Sequence, residues 1–392
     1  MLKAINKNNQ SVIAFSQSKE RLDQLRHEPL FCPACQKPVI LKAGSINIPH
    51  FAHDSDLPCS YGKGESETHL RGKMHIATWL HRQSYPVYLE QYIPPIDRRA
   101  DVLTKINDTY IAFEYQCSPI EPEELRVRTE DYMKQGIVCI WIFGPNFHKP
   151  YQASFYRVAP AIRVSLLHHP YAKTPRFFTY NPTNYTLHLH EPNFVHQHNA
   201  FTTTRSDRVT NWTIPQIFAS KASQSTNLQQ WLFQKKRFRS KQRQFASKIE
   251  EDYMNYLYTH SLHPQFLPSC IYLPVANYHL DQTPVYIWQT SFIIDLFNEL
   301  EQGDELNWYD VYDMMRVFFQ NRLTAAYPTS FRHPLYSYLD TLVSLDLLEK
   351  RSPSHFVKKA DVIFPKTLDE ALEQDEATLN QLFNCMPNEK VK

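Results

Sequence analysis

The stretch Arg99 to Gln116 reads Arg-Ala-Asp-Val-Leu-Thr-Lys-Ile-Asn-Asp-Thr-Tyr-Ile-Ala-Phe-Glu-Tyr-Gln, and it constrains the fold more than any other part of the chain. Two β-prone runs, Ala100–Ile106 and Thr109–Gln116, flank Asn107-Asp108, a pair that tolerates the positive φ of a two-residue turn. The pattern predicts a β-hairpin. With Ile106 opposite Thr109, the residue numbers of each pair keep a constant sum, which sets Val102 against Phe113 and Asp101 against Glu114. Directly paired side chains share a sheet face with Cβ atoms about 4.5–5.5 Å apart, where like charges repel. A bound Mg²⁺ or Mn²⁺ offsets that repulsion, because hard divalent ions take one or two carboxylates and keep water on their other positions. Gln116 alternates onto the same face as Glu114, so the three read as a metal site. The competing reading is a solvated face whose charge Arg99 and Lys105 relieve.

The flanking elements support the first reading. Ser66 to Arg82 reads as a helix, with Leu70, Met74, Ala77 and Leu80 at helical spacing. Pro86 to Gln91 reads as a strand, and the hairpin follows. Glu121 to Lys134 is a second helix, entered through Pro119 and Pro122 and closed by Gly136. Ile137 to Phe143 is an apolar run of strand length, suited to burial on both faces. The order is α-β-β-β-α-β.

Glu65-Ser-Glu-Thr-His69 with Lys73, Arg99-x-Asp101-Val, Ala112-Phe-Glu114-Tyr-Gln116-Cys-Ser118, Leu125-x-x-Arg128-Thr-x-x-Tyr132 and Trp141-Ile occur in that order. Together they resemble the competence protein CoiA family. The resemblance implies a nuclease-like core of the PD-(D/E)XK superfamily, with Asp101 and Glu114 at the two metal-binding acidic positions. Gln116 then stands where that superfamily usually has lysine. The resemblance covers roughly the first 150 residues well and thins beyond them. It also implies an acid on the first helix that helps hold the metal. Glu65 belongs to the matching motif, whereas Glu67 lies one turn before Leu70 and projects toward the core, so both stand as candidates. His69 and Lys73 are either site residues or a solvated pair one helical turn apart. Arg128 and Tyr132 share a helix face suited to a phosphate, although Arg126 and Arg128 also have Glu123, Glu124 and Glu130 to pair with.

Ahead of this core, Leu2–Ile5 and Ser11–Phe15 read as a hairpin, followed by a short helix around Lys19–Arg26. Cys32 and Cys35 form a Cys-x-x-Cys, followed by His50-Phe-Ala-His53 and Cys59. Two thiolates at one turn, completed by a second ligand pair, make a tetrahedral Zn²⁺ site, whereas a Cys-x-x-Cys alone suits a redox-active or an inert pair equally well. The spacing of His50 and His53 is shorter than in standard fingers, so Cys59 is an alternate for one of them. The family resemblance extends over this segment and implies a structural zinc ribbon. Seven cysteines, an odd number, suit reduced thiols better than a disulfide framework.

Composition limits the chemistry. A chain of 392 residues, 42% hydrophobic and 21% charged, is globular and long enough for two or three domains. A net charge of +2 means that any nucleic-acid partner needs a local basic patch. Only 7 glycines are present and neither phosphate-loop pattern occurs, which argues against a nucleotide cofactor. No apolar run approaches the ~20 residues of a membrane span, and the start lacks a signal-peptide layout, so a cytoplasmic protein is expected.

The expected division is 1–62, a zinc-ribbon-like module; 63–150, the nuclease-like core; 151–245, a β extension and basic helix; and 246–392, a helical domain. Phe177–Tyr180 and Tyr185–His190 read as another hairpin, with His188, His190, His196 and His198 taken as exposed strand and loop positions. Lys221 to His260 reads as one long helical stretch. There Lys235, Lys236, Arg237 and the basic run to Arg243 interleave with Trp231, Phe233, Phe238 and Phe245, either a DNA surface or a solvated face. Farther on, helices are expected over Tyr286–Glu301, Trp308–Phe319 and Leu335–Lys350, with an acidic helix over Leu368–Phe383. Leu342–Arg351 followed by His355–Lys359 reads as a helix feeding a small β-wing or as plain helical packing.

With the resemblance, these features imply a Mg²⁺- or Mn²⁺-dependent DNA nuclease of bacterial competence. Gln116 would orient the attacking water, and Lys73 or Arg128 would offset charge on phosphate. The competing class is a protein without catalysis that grips single-stranded DNA or a recombination partner.

Overall fold

The hairpin takes the expected register. In the computed structural model, pairing runs from Ile106 opposite Thr109 to Val102 opposite Phe113, and Asn107 takes the positive φ of the turn, 52°. The structure describes residues 1–44, 48–53, 59, 65–152, 155–167, 175–196, 199–219, 227–241, 247–275, 278–327 and 332–385. These fall into two units: Met1–Pro192 with Thr202–Ala222 and Thr324–Thr329, and Asn193–Phe201 with Ser223–Leu323 and Ser330–Lys392.

The first unit begins with β1 (Lys3–Asn6), β2 (Ser11–Ile13), α1 (Lys19–Leu25), β3 (Leu30–Phe31), β4 (Pro38–Lys42) and β5 (His50–His53). Their strands make a five-stranded sheet ordered β2-β1-β3-β4-β5. Next come α2 (Glu67–Arg82), β6 (Val87–Ile93), β7 (Arg98–Ile106), β8 (Thr109–Gln116), α3 (Pro122–Lys134) and β9 (Ile137–Phe143), in the αβββαβ order read from the sequence. Then follow β10 (Pro150–Gln152), β11 (Phe155–Arg157), α4 (Pro160–Val164), β12 (Phe177–Asn181), β13 (Thr186–His196), β14 (Asn199–Arg208) and α5 (Ile214–Phe218). They extend the core to a nine-stranded sheet ordered β10-β11-β14-β13-β12-β9-β8-β7-β6. Strand β9 runs parallel to both of its neighbours, β8 and β12, which accounts for its apolar residues on both faces.

Helix α2 is capped by Ser66, whose side chain accepts the His69 N–H. It buries Leu70, Ile76, Ala77 and Leu80 against Phe113 and Tyr115 of β8. The helix lies so close to the sheet that Gly72 faces the Tyr115 ring directly.

The second unit holds α6 (Asn227–Ser240), α7 (Lys248–Thr259), α8 (Val285–Ser291, wound on as a π turn to Phe297), β15 (Glu305–Asn307), α9 (Trp308–Met315), α10 (Pro334–Ser344), β16 (Leu348–Lys350), β17 (His355–Lys358) and α11 (Leu368–Cys385). Its strands form a sheet ordered β15-β17-β16. Two helices, α6 and α7, stand where one long helical stretch was expected; residues 220–226 and 242–246, including Arg243 and Phe245, lie outside the described residues. The helix expected over Leu335–Lys350 stops at Ser344, because Asp346 takes a left-handed φ of 60° and the chain enters β16.

At an ordinary helix position, alanine is favoured over glycine by about 1 kcal/mol. At Gly72 an added Cβ would sit 1.9 Å from the Tyr115 ring. Gly72→Ala should therefore destabilise by about 1–3 kcal/mol in urea denaturation; a midpoint unchanged or raised would show that the ring yields freely.

Candidate functional site

Two clusters of chemically capable side chains lie in the first unit. The first grows from the turn after β3. The Cys32 N–H donates to the Lys37 carbonyl, the Gln36 N–H donates back to the Cys32 carbonyl, and Gln36 holds a φ of 56°. This fold of the chain presents both thiols of the Cys-x-x-Cys on one side. The β4–β5 hairpin brings His53 opposite Val39, with Nε2 3.2 Å from Cys35 Sγ. Ligand atoms of Cys32, Cys35, His53 and Cys59 all lie within 4.8 Å of one another. Three cysteines and one histidine make a set that can hold a metal such as zinc. His50 is not part of it: its Nδ1 contacts the Ile48 carbonyl at 2.8 Å. Residues three apart in a strand point to opposite faces, so His50 and His53 cannot converge on one ion from β5. Cys59, the alternate, takes the fourth place.

The second cluster surrounds the acid pair of the hairpin. Lys73 of α2 is fully buried, with Nζ 2.8 Å from Glu65, 2.5 Å from Glu90 of β6 and 3.8 Å from Asp101 Oδ1. Arg99 reaches Glu65 at 3.0 Å. Glu90 also accepts the backbone N–H groups of Leu2 and Lys3, and it sits at a left-handed φ of 46° inside a strand. Burial alone would raise the Glu65 and Glu90 carboxyls; Lys73 foremost, with Arg99, outweighs it and holds both down at about 2. The first-helix alternatives are thereby separated in space. Glu65 joins the cluster, whereas Glu67 is exposed and binds Arg71 rather than facing the core.

His69 Nε2 lies 3.1 Å from Asp101 Oδ2, and its ring stacks on Tyr115. Burial opposes protonation of His69, but the charge of Asp101 outweighs it and raises the imidazole. Asp101 is depressed in turn, since His69 and Lys73 overcome its burial. Glu114 belongs to the other side of the sheet. Tyr115 packs against α2, so alternation turns Glu114 toward α3, where Arg128 reaches it at 2.5 Å and the Tyr132 hydroxyl donates at 2.6 Å. Arg128 also lies over the Trp141 ring. Burial, reinforced by the charge of Asp101, raises the Glu114 carboxyl despite Arg128.

At this rung of the hairpin, side chains replace the backbone ladder. The Tyr115 N–H donates to Asp101 Oδ2 at 3.0 Å, and the Asp101 N–H donates to Glu114 Oε1 at 3.4 Å. The carboxylates were expected to turn to one face; instead each is drawn to its own cation, Asp101 to α2 and Glu114 to α3. Gln116 is half-buried, and its amide N–H donates to the Ser118 carbonyl at 2.7 Å.

The basic helix is divided by its own periodicity. Trp231, Lys235 and Arg239, spaced at i, i+4 and i+8, form its buried face. Lys235 Nζ donates to the Ser269 and Ile271 carbonyls and pairs with Asp375, to which Arg239 binds through two nitrogens. Burial places Lys235 out of reach of a phosphate, and only Lys236 and Arg237 of the named trio are exposed. The histidines of β13 also depart from expectation. His190 is buried between Thr179 and Thr204, and His188 stacks on His148. The side chains of His196 and His198 lie outside the described residues.

Glu90 was missed by the sequence reading. Its signal was a single acid in the apolar strand Val87–Ile93.

Fold and clusters define an αβββαβ core with buried ion pairs, preceded by a module whose Cys/His cluster can hold a metal ion. Three models of the competence protein CoiA family match the chain: its N-terminal domain over residues 14–62, its nuclease-like domain over 65–222 and its C-terminal domain over 227–372. The chain belongs to the CoiA family. Competence protein CoiA of Bacillus subtilis (strain 168) is 29% identical over 269 residues, which cover 68% of this chain and 71% of the relative. No solved structure matches. No helix among the described residues is long and apolar enough to cross a membrane.

Two outcomes test this geometry. Metal content measured by elemental analysis should survive His50→Ala and be lost in His53→Ala and Cys59→Ser; the reverse would restore the histidine pair. Lys73→Met should cost about 3–5 kcal/mol, since it leaves buried carboxylates without their cation. In the wild type, Glu65 and Glu90 ionise more readily when folded, so the stability they add is complete above about 4.5 and drains as pH falls toward about 2. Thermal melts across that range should show the acid loss; a flat profile would mean that the cluster is not ionised.

Proposed function

We propose that this chain is a divalent-metal-dependent DNA nuclease of the competence system, with Asp101 and Glu114 as its metal-binding acids in a PD-(D/E)XK-type core. The observation that carries the reading is the broken rung, where two buried carboxylates on adjacent strands are bridged through backbone N–H groups beside a buried Lys73. The donor set fits a hard cation in kind: two carboxylates, with the Gln116 amide oxygen two residues on. In this arrangement Asp101 turns to α2 and Glu114 to α3, so an ion would hold both only by drawing them to one side, away from His69 and Arg128.

When bound, such an ion supplies Lewis-acid polarisation of the phosphodiester and a more acidic water. The chain's own residues supply the rest. His69, held on Asp101 and stacked on Tyr115, carries an imidazole that exchanges a proton at Nε2. Arg128 is the partly exposed cation and meets the phosphate, while enclosed Lys73 positions Asp101 through its contacts with Glu65 and Glu90. Gln116, tied to Ser118, orients water instead of activating it. A second reading, a nuclease-derived fold that binds DNA without cutting it, is favoured by one observation: each oxygen of Glu114 already has a protein partner.

Labelled single- and double-stranded DNA incubated with pure protein and Mn²⁺ separates the two. Cleavage is expected, and Asp101→Asn and Glu114→Gln should each abolish it; because each also removes the partner of a largely buried cation, melting temperatures should fall while circular dichroism confirms that both variants are folded. Binding without cleavage in the wild type would establish the second reading.

A further inference from the structure

The second unit contains an arrangement that the nuclease reading does not use. In chain order α8, β15, α9, α10, β16 and β17 run helix, strand, helix, helix, strand, strand, and the sheet is ordered β15-β17-β16. This is the order of a winged helix. Leu348 pairs with Lys358 and Lys350 with Phe356, so Arg351–Ser354 is the loop of the wing. Helix α10 buries Leu335, Tyr338, Leu339 and Leu342 and leaves Ser337, Asp340, Thr341 and Ser344 outside the core.

The wing is fixed to that helix. The Tyr336 hydroxyl donates to the Pro353 carbonyl at 2.6 Å. Above the Tyr336 ring sit Arg332, 5.0 Å away, and Lys350, 4.8 Å away. Both cations share one carboxylate, Asp340, at 2.7 and 2.8 Å. Asp340 thus holds two cations beside the outer face of α10, and on the wing Arg351, its side chain 62% exposed, pairs with Glu349 at 3.1 Å.

We propose that this module docks on double-stranded DNA, with the outer face of α10 in the major groove and Arg332, Lys350 and Arg351 on flanking phosphates. An α-helix fits that groove, and the small hydroxyl side chains of Ser337, Thr341 and Ser344 allow close approach to base edges while retaining hydrogen-bonding groups. A protein-binding face would instead be expected to carry large apolar anchors. Asp340 is the internal competitor for the two cations that a phosphate would take.

The test uses the full chain and a 20-base-pair duplex, with anisotropy read in EDTA across a salt series, so the result stands whether or not the core cleaves. Arg332→Ala/Lys350→Ala/Arg351→Ala should bind roughly tenfold or more weakly, with the log-log salt slope flatter by roughly two to three units. Arg351→Ala alone, on the exposed wing, should flatten it by about one unit, and Thr341→Glu should weaken binding through repulsion. Asp340→Asn should bind roughly two- to fivefold more tightly, the scale of one exposed charge. Thermal melts confirm that each variant is folded. Folded Arg351→Ala and Thr341→Glu proteins that bind duplex as the wild type does, with an unchanged slope, would overturn the assignment, as would unchanged or weaker binding by Asp340→Asn.

Discussion

The buried ammonium of Lys73 is the interaction on which the first unit's architecture turns. It joins α2 to Glu65 ahead of the helix, to Glu90 in β6 and to Asp101 in β7, and Glu90 passes the connection on to the backbone of β1 through Leu2 and Lys3. A charge taken wholly out of water is costly unless its partners are close and well aligned. Here the cation has acids on more than one element, so the cluster is satisfied only when helix, sheet and N-terminal strand are all in place. An apolar core of the same volume would be indifferent to small shifts of α2; this cluster is not. The close approach at Gly72 demands the same placement by steric means.

How the acid pair is held follows from that anchoring. Repulsion between Asp101 and Glu114 was a sound inference from register, and the register formed. The offset comes from the protein itself: each carboxylate turns to its own partner side chains, and adjacent backbone N–H groups with the Tyr132 hydroxyl supply further contacts. The two environments push the acids in opposite directions, Asp101 toward easier ionisation and Glu114 toward harder. That divergence follows from the two sets of partners, and it is among the features that support the proposed role of the two acids.

Much of this was legible in the sequence, and the failures have physical causes. Strand register depends on a constant residue sum and a turn, both local, so the hairpin and the order around it could be read directly. Side-chain direction at a charged position depends on partners remote in sequence. That is why Glu65 and Glu67 could not be separated, why Glu90 passed unnoticed and why the two carboxylates part. His50 and His53 looked like a pair by spacing, yet a strand turns residues three apart to opposite faces. The family resemblance supplied the domain identity that composition alone did not contain.

The basic run on α6 shows why counting charges misleads. A helix with cations at Lys235, Lys236, Arg237 and Arg239 invites a phosphate-binding reading, but periodicity sends the first and last inward, where Asp375 of α11 takes both. The result is a buried charge cluster that holds α6 to α11, with two cations left in water. On the opposite scale of charge, α10 and the wing carry fewer cations, yet Arg332 and Lys350 are partly exposed and share a single acid. What recommends a surface for nucleic acid is therefore accessible charge beside a face a groove can accept. By that measure the modest charge on α10 outranks the denser run on α6, because the inward cations of α6 are already neutralised by Asp375 and backbone carbonyls.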